Sequence, residues 1–320
     1  MTTKSHTSIW ACPVCQMPLL FSQEQTEPSS ASKEWRCENN HSFDRAKEGY
    51  INLLLAHQKN SPDPGDTKTM TTSRRAFLSA GHYQPLADKL TKVLSQHLKL
   101  EANILDSGCG EGYYLQQLFE QRNDLQLFGI DISRDATKLA SRQLKEGSFA
   151  VASSFKLPVL SASVDVLLRV FAPGDNEEVI RTLRPEGVLV VVSPGPQHLF
   201  SLKALLYKEA QEHSPPDQPK GFELLDEQQV SYQLEIQGNS TVKQLLSMTP
   251  YYWKGDRAAK LKLDEAESLN TEVDFLIRVY APVKQTPEQA PEQAPEQAPE
   301  QAPEQNPVNH NVWGQAKIKQ

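Results

Sequence analysis

The sequence has no run of about eighteen apolar residues, the length that a membrane-spanning helix needs. Residues 1–8 also lack the apolar segment of a secretory signal peptide. An excess of basic residues is missing too, because 33 Lys and Arg face 40 Asp and Glu, a formal net charge of −7. We therefore expect a soluble cytoplasmic protein with no membrane partner, and the total charge gives no sign of a nucleic-acid partner.

The charges are distributed unevenly along the chain. Residues 1–80 carry nine basic and eight acidic side chains, whereas residues 81–282 carry 21 and 27, and residues 283–320 carry three and five. The amino-terminal part is the least acidic, so a polyanionic partner is expected to meet that end first.

Cysteine is scarce, and three of the four cysteines lie near the amino terminus. Cys12-Pro-Val-Cys15 and Cys37-Glu-Asn-Asn-His41 each place two metal ligands on one tight turn. In a cytosolic protein such a cluster favours a metal over disulfides. The four ligands would complete a tetrahedral shell, which predicts one structural zinc ion per chain. The alternative is a set of free thiols beside an unrelated histidine.

Glycine is also infrequent, yet three glycines alternate at Gly108, Gly110 and Gly112. A short apolar run that ends in Asp106 comes before them, and a helix is predicted to begin at Tyr113. This is the strand, tight turn and helix start with which a parallel α/β sheet meets a nucleoside cofactor. In a dinucleotide-binding fingerprint the third glycine would stand at the position of Tyr113, so the spacing differs from that fingerprint.

A second acidic residue, Asp131, follows the next apolar strand, about twenty residues past the glycines. From there its carboxylate would hold both hydroxyls of a ribose. The free N–H groups of the helix start, near Tyr114 and Leu115, would face an anionic group of the ligand. The alternative is a glycine-rich turn with a purely structural role.

Gly-x-Gly-x-Gly after an acidic strand end resembles motif I of the class I S-adenosylmethionine (SAM) methyltransferases. The resemblance implies a Rossmann-like α/β sheet that binds SAM. Preceded by the cysteine–histidine segment, this predicts an α/β fold with an amino-terminal zinc-ribbon or zinc-knuckle module. We predict four parts: a zinc module at 1–45, a linking segment at 46–85, a methyltransferase domain at 86–282, and a disordered tail of Pro-Glu-Gln repeats at 283–320.

Together with the zinc pattern, several short motifs closely resemble the bacterial 23S ribosomal RNA guanine-N1-methyltransferases of the RlmA type. They are Ala-Lys-Glu-Gly-Tyr at 46–50, Asp-Pro-Gly-Asp at 63–66, Arg-Arg-Ala-Phe-Leu at 74–78, Gly-His-Tyr-Gln-Pro at 81–85 and Gly-Cys-Gly-Glu-Gly-Tyr-Tyr at 108–114. The resemblance covers about Cys12 to Tyr280. The long polar loop of the zinc module and the repeat tail depart from the family pattern.

The resemblance implies a homodimer in which the zinc module helps to form a cleft for an RNA hairpin. It implies methylation of guanine N1 in helix 35 of 23S ribosomal RNA, of the position 745 type. By matching motif, Cys12, Cys15, Cys37 and His41 would bind zinc. Tyr83, Tyr114, Leu115 and His198 would lie around SAM, with Tyr83 and His198 as a lid.

Three alternative functions stay open. Some relatives modify a nearby guanine of the same hairpin that is associated with macrolide resistance. A small-molecule SAM methyltransferase, for example one acting on quinone precursors, would not need a zinc module. A zinc nucleic-acid-binding protein with a degenerate methyltransferase domain is a third possibility, against which the intact glycine motif and its acidic residues argue.

The remaining segments are assigned to a methyltransferase core. We expect Ser153 or Ser154 near the adenine amino group. Phe171, at the exit of the fourth strand, either stacks on an incoming base or packs in the core. Guanine N1 carries a proton, for which the sequence offers four acceptors without favouring one: Glu111, Asp175, Glu177 and His198. Elements are predicted as a helix beginning at Thr71, a helix over 86–98, a turn at 183–187, an aromatic loop at 248–253 that packs against the fold or guides the substrate strand, and a final strand at 272–280 that closes the sheet.

Overall fold

The computed structural model describes residues 8–23, 33–58, 65–249, 251 and 256–283. In chain order the strands are β1 Leu20–Gln23, β2 Lys33–Arg36, β3 Ser42–Asp44, β4 Ile51–Asn52, β5 Asn103–Ser107, β6 Gln126–Asp131, β7 Ser148–Val151, β8 Val164–Val170, β9 Leu183–Pro194, β10 Phe222–Gln237 and β11 Ser268–Pro282. The α-helices are α1 Lys68–Ser79, α2 Gln84–Ser95, α3 Tyr113–Gln121, α4 Arg134–Gln143, α5 Asn176–Thr182, α6 Phe200–Leu206, α7 Asn239–Ser247 and α8 Arg257–Asp264. A 3-10 helix spans Ala56–Gln58. None of the described helices is long and apolar enough to cross a membrane.

An eight-stranded sheet forms the centre of the fold, in the order β10-β11-β9-β8-β5-β6-β7-β4. The strands from β9 to β4 run parallel, and β10 and β11 form an antiparallel hairpin beside β9. The central strands are buried on both faces because helices or the amino-terminal segment cover each face. This arrangement confirms the predicted Rossmann-like α/β sheet.

The amino-terminal segment forms a second, small antiparallel sheet, β1-β2-β3, which is part of the zinc ribbon. Residues just before it are fully buried against the large sheet. The Trp10 ring meets Phe128 edge-on at 5.7 Å between centroids, and its Nε1 donates a hydrogen bond of 2.8 Å to Ser148 Oγ. The ribbon therefore covers one face of the large sheet and shares its hydrophobic core.

Several element predictions need correction. The first helix begins at Lys68 with Thr67 as its N-cap, rather than at Thr71, because the hydroxyl of Thr67 accepts from Met70 N. The turn predicted at 183–187 lies inside β9. There Leu183 pairs with Val164 and Val188 with Val166, so the intervening residues bulge out of register.

The final strand was also misplaced in the sheet. It runs antiparallel as predicted, but it lies between β9 and β10, and the 16-residue β10 forms that edge. The linking segment contains the two-residue β4, which pairs with β7 at the opposite edge of the large sheet. The second helix spans Gln84–Ser95 rather than 86–98.

Candidate functional site

The glycine loop leaves β5 and turns into α3 at Tyr113, as predicted. Its start is tied to the neighbouring strand, because the N–H groups of Gly108 and Cys109 both donate to Ile130 O, at 2.8 and 2.9 Å. Gly108, Gly110 and Gly112 all have positive φ, at 91°, 55° and 85°. This left-handed conformation favours glycine and lets the loop turn sharply beneath the cavity floor.

Asp131 lies at the carboxyl end of β6, opposite this loop. Its Oδ2 accepts from Gly110 N at 2.9 Å, and its Oδ1 accepts from Ser133 N at 2.7 Å. Burial raises the pKa of Asp131, although these two backbone N–H groups act in the opposite direction. The hydrogen bonds fix the carboxylate at the edge of the cavity described next.

A cavity of about 640 Å³ opens above the carboxyl ends of the parallel strands. Six of the predicted cofactor residues line it, namely Tyr83, Gly108, Gly110, Tyr114, Asp131 and His198. The other three, Asp106, Gly112 and Leu115, do not line it. Asp106 and Leu115 are buried behind the loop, and Gly112 supports it against Ala140 of α4. Ser153, Ser154 and Phe171 also lie on the cavity wall.

One end of the cavity carries opposed charges. Arg74 lines the wall and forms an ion pair with Asp66, and Glu111 lies nearby, only 2% exposed. Burial lowers the pKa of Arg74, but the charges of Asp66, Glu111 and Asp131 outweigh it and raise that pKa. The sequence identified Arg74 and Arg75 only as part of the motif at 74–78 and did not mark Arg74 as a cofactor residue, because nothing local shows which of the two arginines faces the sheet.

Burial also governs Asp106 behind the loop. It raises the pKa of this carboxyl to about 8, with the charges of Asp131 and Glu111 adding to the effect. Its Oδ1 and Oε2 of Glu111 have no hydrogen-bond partner among the described residues. Glu111 lines the cavity, so its unpartnered oxygen suits a ligand that brings hydrogen-bond donors, such as the ammonium group of SAM.

The space at Gly110 gives a direct test of the fit to a cofactor. A Cβ added there would meet only Arg74 Nη1, at 3.9 Å, and would otherwise point into the open cavity. A Cβ at Gly108 would instead come within 2.4 Å of the Ala172 Cβ. Gly110 therefore keeps open a backbone cradle for a ligand, and Gly108 permits close packing. These residues fit SAM.

Aromatic rings form the opposite end of the cavity. His198 is 6% exposed and packs against Tyr83, Phe171 and Phe275, with ring centroids 6.3, 5.9 and 4.8 Å away. Its Nδ1 accepts from the backbone N–H of Asp274 at 3.3 Å. Burial lowers the pKa of His198 to about 3, so the ring is neutral and carries its proton on Nε2. The structure thus brings Tyr83 and His198 together, although they are far apart in sequence.

The four candidate proton acceptors occupy different places. Glu111 and His198 line the cavity, whereas Asp175 and Glu177 do not. Asp175 caps α5 by accepting from Glu178 N at 2.9 Å, and Glu177 is exposed. Of the aromatic loop, Met248 and Tyr251 line the cavity, and Trp253 lies outside the described residues, as do Asp63 and Pro64.

The metal ligands converge as predicted. One donor atom from each of Cys12, Cys15, Cys37 and His41 lies within 4.8 Å of the others. The Sγ atoms of Cys15 and Cys37 are 3.7 Å apart, and His41 Nδ1 is 3.6 and 3.4 Å from the Sγ atoms of Cys12 and Cys37. Zinc–sulfur bonds of about 2.3 Å give tetrahedral edges of about 3.8 Å. The donor set fits one closed zinc site.

Comparisons with known proteins agree with this geometry. A family model described as "RlmA, N-terminal", a zinc ribbon, matches residues 10–62, and one described as "Methyltransferase domain" matches residues 98–246. Solved structures provisionally named methyltransferases, from Bacillus halodurans C-125 and Anaeromyxobacter dehalogenans, align with 14% and 18% identity and TM-scores of 0.40 and 0.42. They cover 60% of this chain in each case, and 98% and 94% of their own chains.

Three curated relatives are more similar in sequence. The chain is 36% identical over 194 residues to the 23S rRNA (guanine(748)-N(1))-methyltransferase of Streptomyces fradiae, covering 60% of this chain and 65% of that protein. Proteins provisionally named 23S rRNA (guanine-N1)-methyltransferases match at 34% identity in Micromonospora griseorubida and 29% in Bacillus subtilis (strain 168). The matches cover 60% and 84% of this chain, and 67% and 96% of those proteins.

The fold, the glycine loop and the metal site define a class I SAM-dependent methyltransferase with an amino-terminal zinc ribbon. Within that class, the chain belongs to the family of the RlmA-type 23S rRNA guanine-N1-methyltransferases.

Proposed function

We propose that this enzyme methylates N1 of a guanine in the helix 35 hairpin of 23S ribosomal RNA. The proposed target is the guanine of the position 745 type. The observation that carries the proposal is one cavity with the glycine loop and Asp131 at one end and aromatic side chains at the other. When bound, SAM supplies an electrophilic methyl group on a sulfonium. Mass mapping of the hairpin after incubation with protein and SAM tests the proposal, and an unmodified hairpin would overturn it.

The cofactor half of the cavity has a distinct role for each residue. Asp131 would accept hydrogen bonds from the ribose hydroxyls, and Ser153 or Ser154 would contact adenine. The cradle at Gly110 would receive the methionine part, with Arg74 beside its carboxylate. The unpartnered oxygen of Glu111 would face its ammonium group.

The substrate half would hold the flipped base. Phe171 is 46% exposed at the cavity wall and has φ of 53°, a strained conformation for a non-glycine residue that presents its ring to the opening. A guanine stacked there would bring its carbonyl toward the Nε2–H of His198. Because Nδ1 of His198 already accepts a hydrogen bond, this residue would donate to the base rather than take its proton.

A different pair suits the role of proton acceptor. Tyr251 lines the cavity, and its hydroxyl lies 2.8 Å from His213 Nε2. Burial lowers the pKa of His213 and raises that of Tyr251 to about 12, so the ring is neutral, the phenol keeps its proton at rest, and Nε2 accepts a hydrogen bond from the phenolic O–H. The N1 proton of guanine would pass to the Tyr251 oxygen as the Tyr251 proton passes to His213. The N1 lone pair would then form the bond to the methyl carbon as the carbon–sulfur bond breaks, and half-buried His213 would release the proton to solvent.

The name of the Streptomyces fradiae relative, a 23S rRNA (guanine(748)-N(1))-methyltransferase, supports a second candidate for the methylated base. This candidate is the guanine three nucleotides further along the hairpin. The mass-mapping experiment separates the two because each methylated guanine falls at its own place in the fragment ladder. A small-molecule SAM methyltransferase is distinguished by the same assay, since it would leave both guanines unmodified while consuming SAM with a small acceptor.

We also propose that the enzyme acts as a homodimer and that the predicted boundaries at 45, 85 and 282 separate its functional parts. Light scattering of the full chain, with and without RNA, measures the oligomeric state. A monomer that methylates the hairpin at full rate would contradict the proposed homodimer, while the proposed methylation activity would still stand.

A further inference from the structure

One face of α4 carries a row of cations. Arg134, Lys138 and Arg142 are spaced by four residues, which places them along one side of the helix at intervals of about 6 Å. Arg134 is exposed, and the Lys138 and Arg142 side chains are 37% and 52% exposed. These residues do not line the SAM cavity, so cofactor binding does not account for them.

The turn between β3 and β4 adds two further exposed cations, Arg45 and Lys47, to the same surface. Side-chain contacts join the turn to α4. Arg134 Nε donates to the hydroxyl of Tyr50 at 3.0 Å, and Arg142 Nη2 donates to Glu48 Oε1 at 3.0 Å. The five cations therefore form one surface, here called the basic ridge: Arg45, Lys47, Arg134, Lys138 and Arg142.

The ridge carries more positive than negative charge. Glu48 forms ion pairs with both Lys138 and Arg142, at 3.5 and 3.0 Å, and is buried beneath them. Asp135 also lies on α4 and the exposed Asp44 precedes Arg45, so three carboxylates accompany five cations on a chain of net charge −7. Arg45 is held in place by its hydrogen bond to Gly49 O at 3.1 Å and by its position 5.4 Å from the Phe21 ring centroid. Fixed, exposed cations on an acidic protein fit an anionic partner.

The ridge begins at the rim of the cavity. Ser133, the N-cap of α4, follows directly after Asp131 and Ile132, which line the cavity wall. The Ser133 hydroxyl also contacts Asp66 O at 3.4 Å, which connects the helix start to the charged end of the cavity. From there α4 carries the cations away from the opening. A strand whose base enters the cavity would meet the ridge with its flanking phosphates.

We propose that the basic ridge binds the phosphodiester backbone of the RNA substrate beside the target base. This deepens the proposed function and rests on it. These phosphate contacts would fix the position of the RNA without reading its sequence, because the Lys and Arg side chains of the ridge would bind backbone phosphates rather than base edges. The ridge joins the zinc-ribbon side of the molecule to the methyltransferase core, so RNA bound there would touch both.

Two variants test the ridge. The first, R45Q/K47Q/R134Q, removes three cations and leaves the pairs of Glu48 intact. The second, E48Q/K138Q/R142Q, removes the other two cations together with their buried anion, so that no carboxylate is left unpaired. The matched control K89Q/K92Q/K99Q removes three cations on and just after α2, with the same change in net charge as the first variant.

The measurement is the RNA dissociation constant across a salt series for each protein, with SAM affinity and melting temperature recorded alongside. Each phosphate contact contributes about 0.7–0.9 to the slope of log affinity against log salt. We expect the first variant to lose about 2 from that slope and the second between 1 and 2 (roughly two contacts). The control should keep the wild-type slope, and all variants should keep SAM affinity and melting temperature.

An unchanged slope in both ridge variants, or an equal loss in the control, would overturn the proposal. An RNA duplex of unrelated sequence serves as a second probe, because phosphate contacts do not depend on sequence. If the wild-type protein leaves the hairpin unmethylated, the proposed function fails. The salt slopes still decide whether the ridge binds RNA.

Discussion

At the scale of single residues, Gly108 and Gly110 of the cofactor loop share a left-handed backbone conformation but have different roles. Both have positive φ, but Gly108 is pressed against Ala172 and Gly110 borders open space. The sequence identified both as part of one motif. It did not separate their roles, because the spacing says nothing about which atoms lie opposite each Cα.

The difference predicts opposite outcomes for two substitutions. Gly110→Leu should fold, at a cost of about 1–2 kcal/mol for a left-handed non-glycine residue, and should lose SAM binding because its side chain fills the cradle. Gly108→Ala should lower the melting temperature, because its Cβ would collide with Ala172. Calorimetric SAM titration and thermal melting check both. Undiminished SAM binding by the leucine variant would contradict the assigned cradle.

The Tyr251–His213 pair predicts a change in rate without a change in cofactor binding. Tyr251→Phe removes the hydroxyl that would pass on the N1 proton and should lower kcat by about 10²-fold or more, with SAM affinity unchanged. Single-turnover methylation of the hairpin measures this.

His213→Asn should reduce the rate similarly and should alter its dependence on pH. In the wild type the pKa of His213 lies below the ordinary histidine value, so the ring stays neutral and the rate should persist as pH falls below about 6.5. Tyr207→Phe is a control that removes a nearby hydroxyl bonded to Tyr251 O. A rate in Tyr251→Phe equal to wild type would exclude the pair as the acceptor.

The burial of His198 makes the free energy of unfolding depend on pH. Its pKa is about 3 in the folded protein and about 6.5 when unfolded, so the unfolded state binds more protons between these values. The free energy of unfolding therefore falls as pH drops from 6.5 toward 3. From pH 7 to pH 5 this group alone accounts for about 2 kcal/mol. His198→Gln should remove that part of the acid loss, as measured by denaturant unfolding at both pH values, and an identical loss in the variant would contradict it.

At the scale of elements, the zinc ribbon belongs to the core of the methyltransferase sheet. Trp10 is fully buried between the ribbon and β6 and β7, and Leu160 N donates to Ile9 O at 2.9 Å. Deleting residues 1–60, which would serve as a test for a small-molecule enzyme if the ribbon were separable, would instead expose one face of the sheet. Loss of activity after that deletion would thus say nothing about the substrate.

Because the ribbon and the large sheet share one hydrophobic core, we expect removal of the metal to destabilise both of them together. Trp10→Ala should cost about 3–5 kcal/mol, and chelation of zinc should lower the melting temperature of the whole described unit in one transition. Differential scanning calorimetry with and without a chelator measures both. Arg36→Gln on β2 is a control at an exposed ribbon position. A separate ribbon transition beside an unchanged main transition would contradict the shared core.

The elements that the sequence predicted well are those with a local cause. The glycine turn, the helix start at Tyr113, Asp131 at a strand end and the paired metal turns all follow from residues within a few positions of each other. The edge strand β10 and the half-buried position of Arg74 at the cavity wall depend on partners far along the chain. Alternation in β11 shows that one strand forms, but it does not say on which side β10 adds.

At the scale of the whole molecule, function depends on segments that meet only in three dimensions. Tyr83, His198 and Tyr251 reach one cavity from three separate parts of the chain. Family motifs named the first two as lid residues, whereas Tyr251 was assigned only to an aromatic loop that packs against the fold or guides the substrate. Its pairing with His213 carries no local pattern, so no spacing rule would have found it.

The link between Trp10 and Ser148 has a consequence for synthesis of the chain. The tryptophan leaves the ribosome 138 residues before the serine that it will contact. At about 5–20 residues per second, that delay is roughly 7–28 s. During that delay Phe128 and Ser148 are not yet available to cover the indole, so the Trp10 ring stays exposed until β6 and β7 have been synthesised.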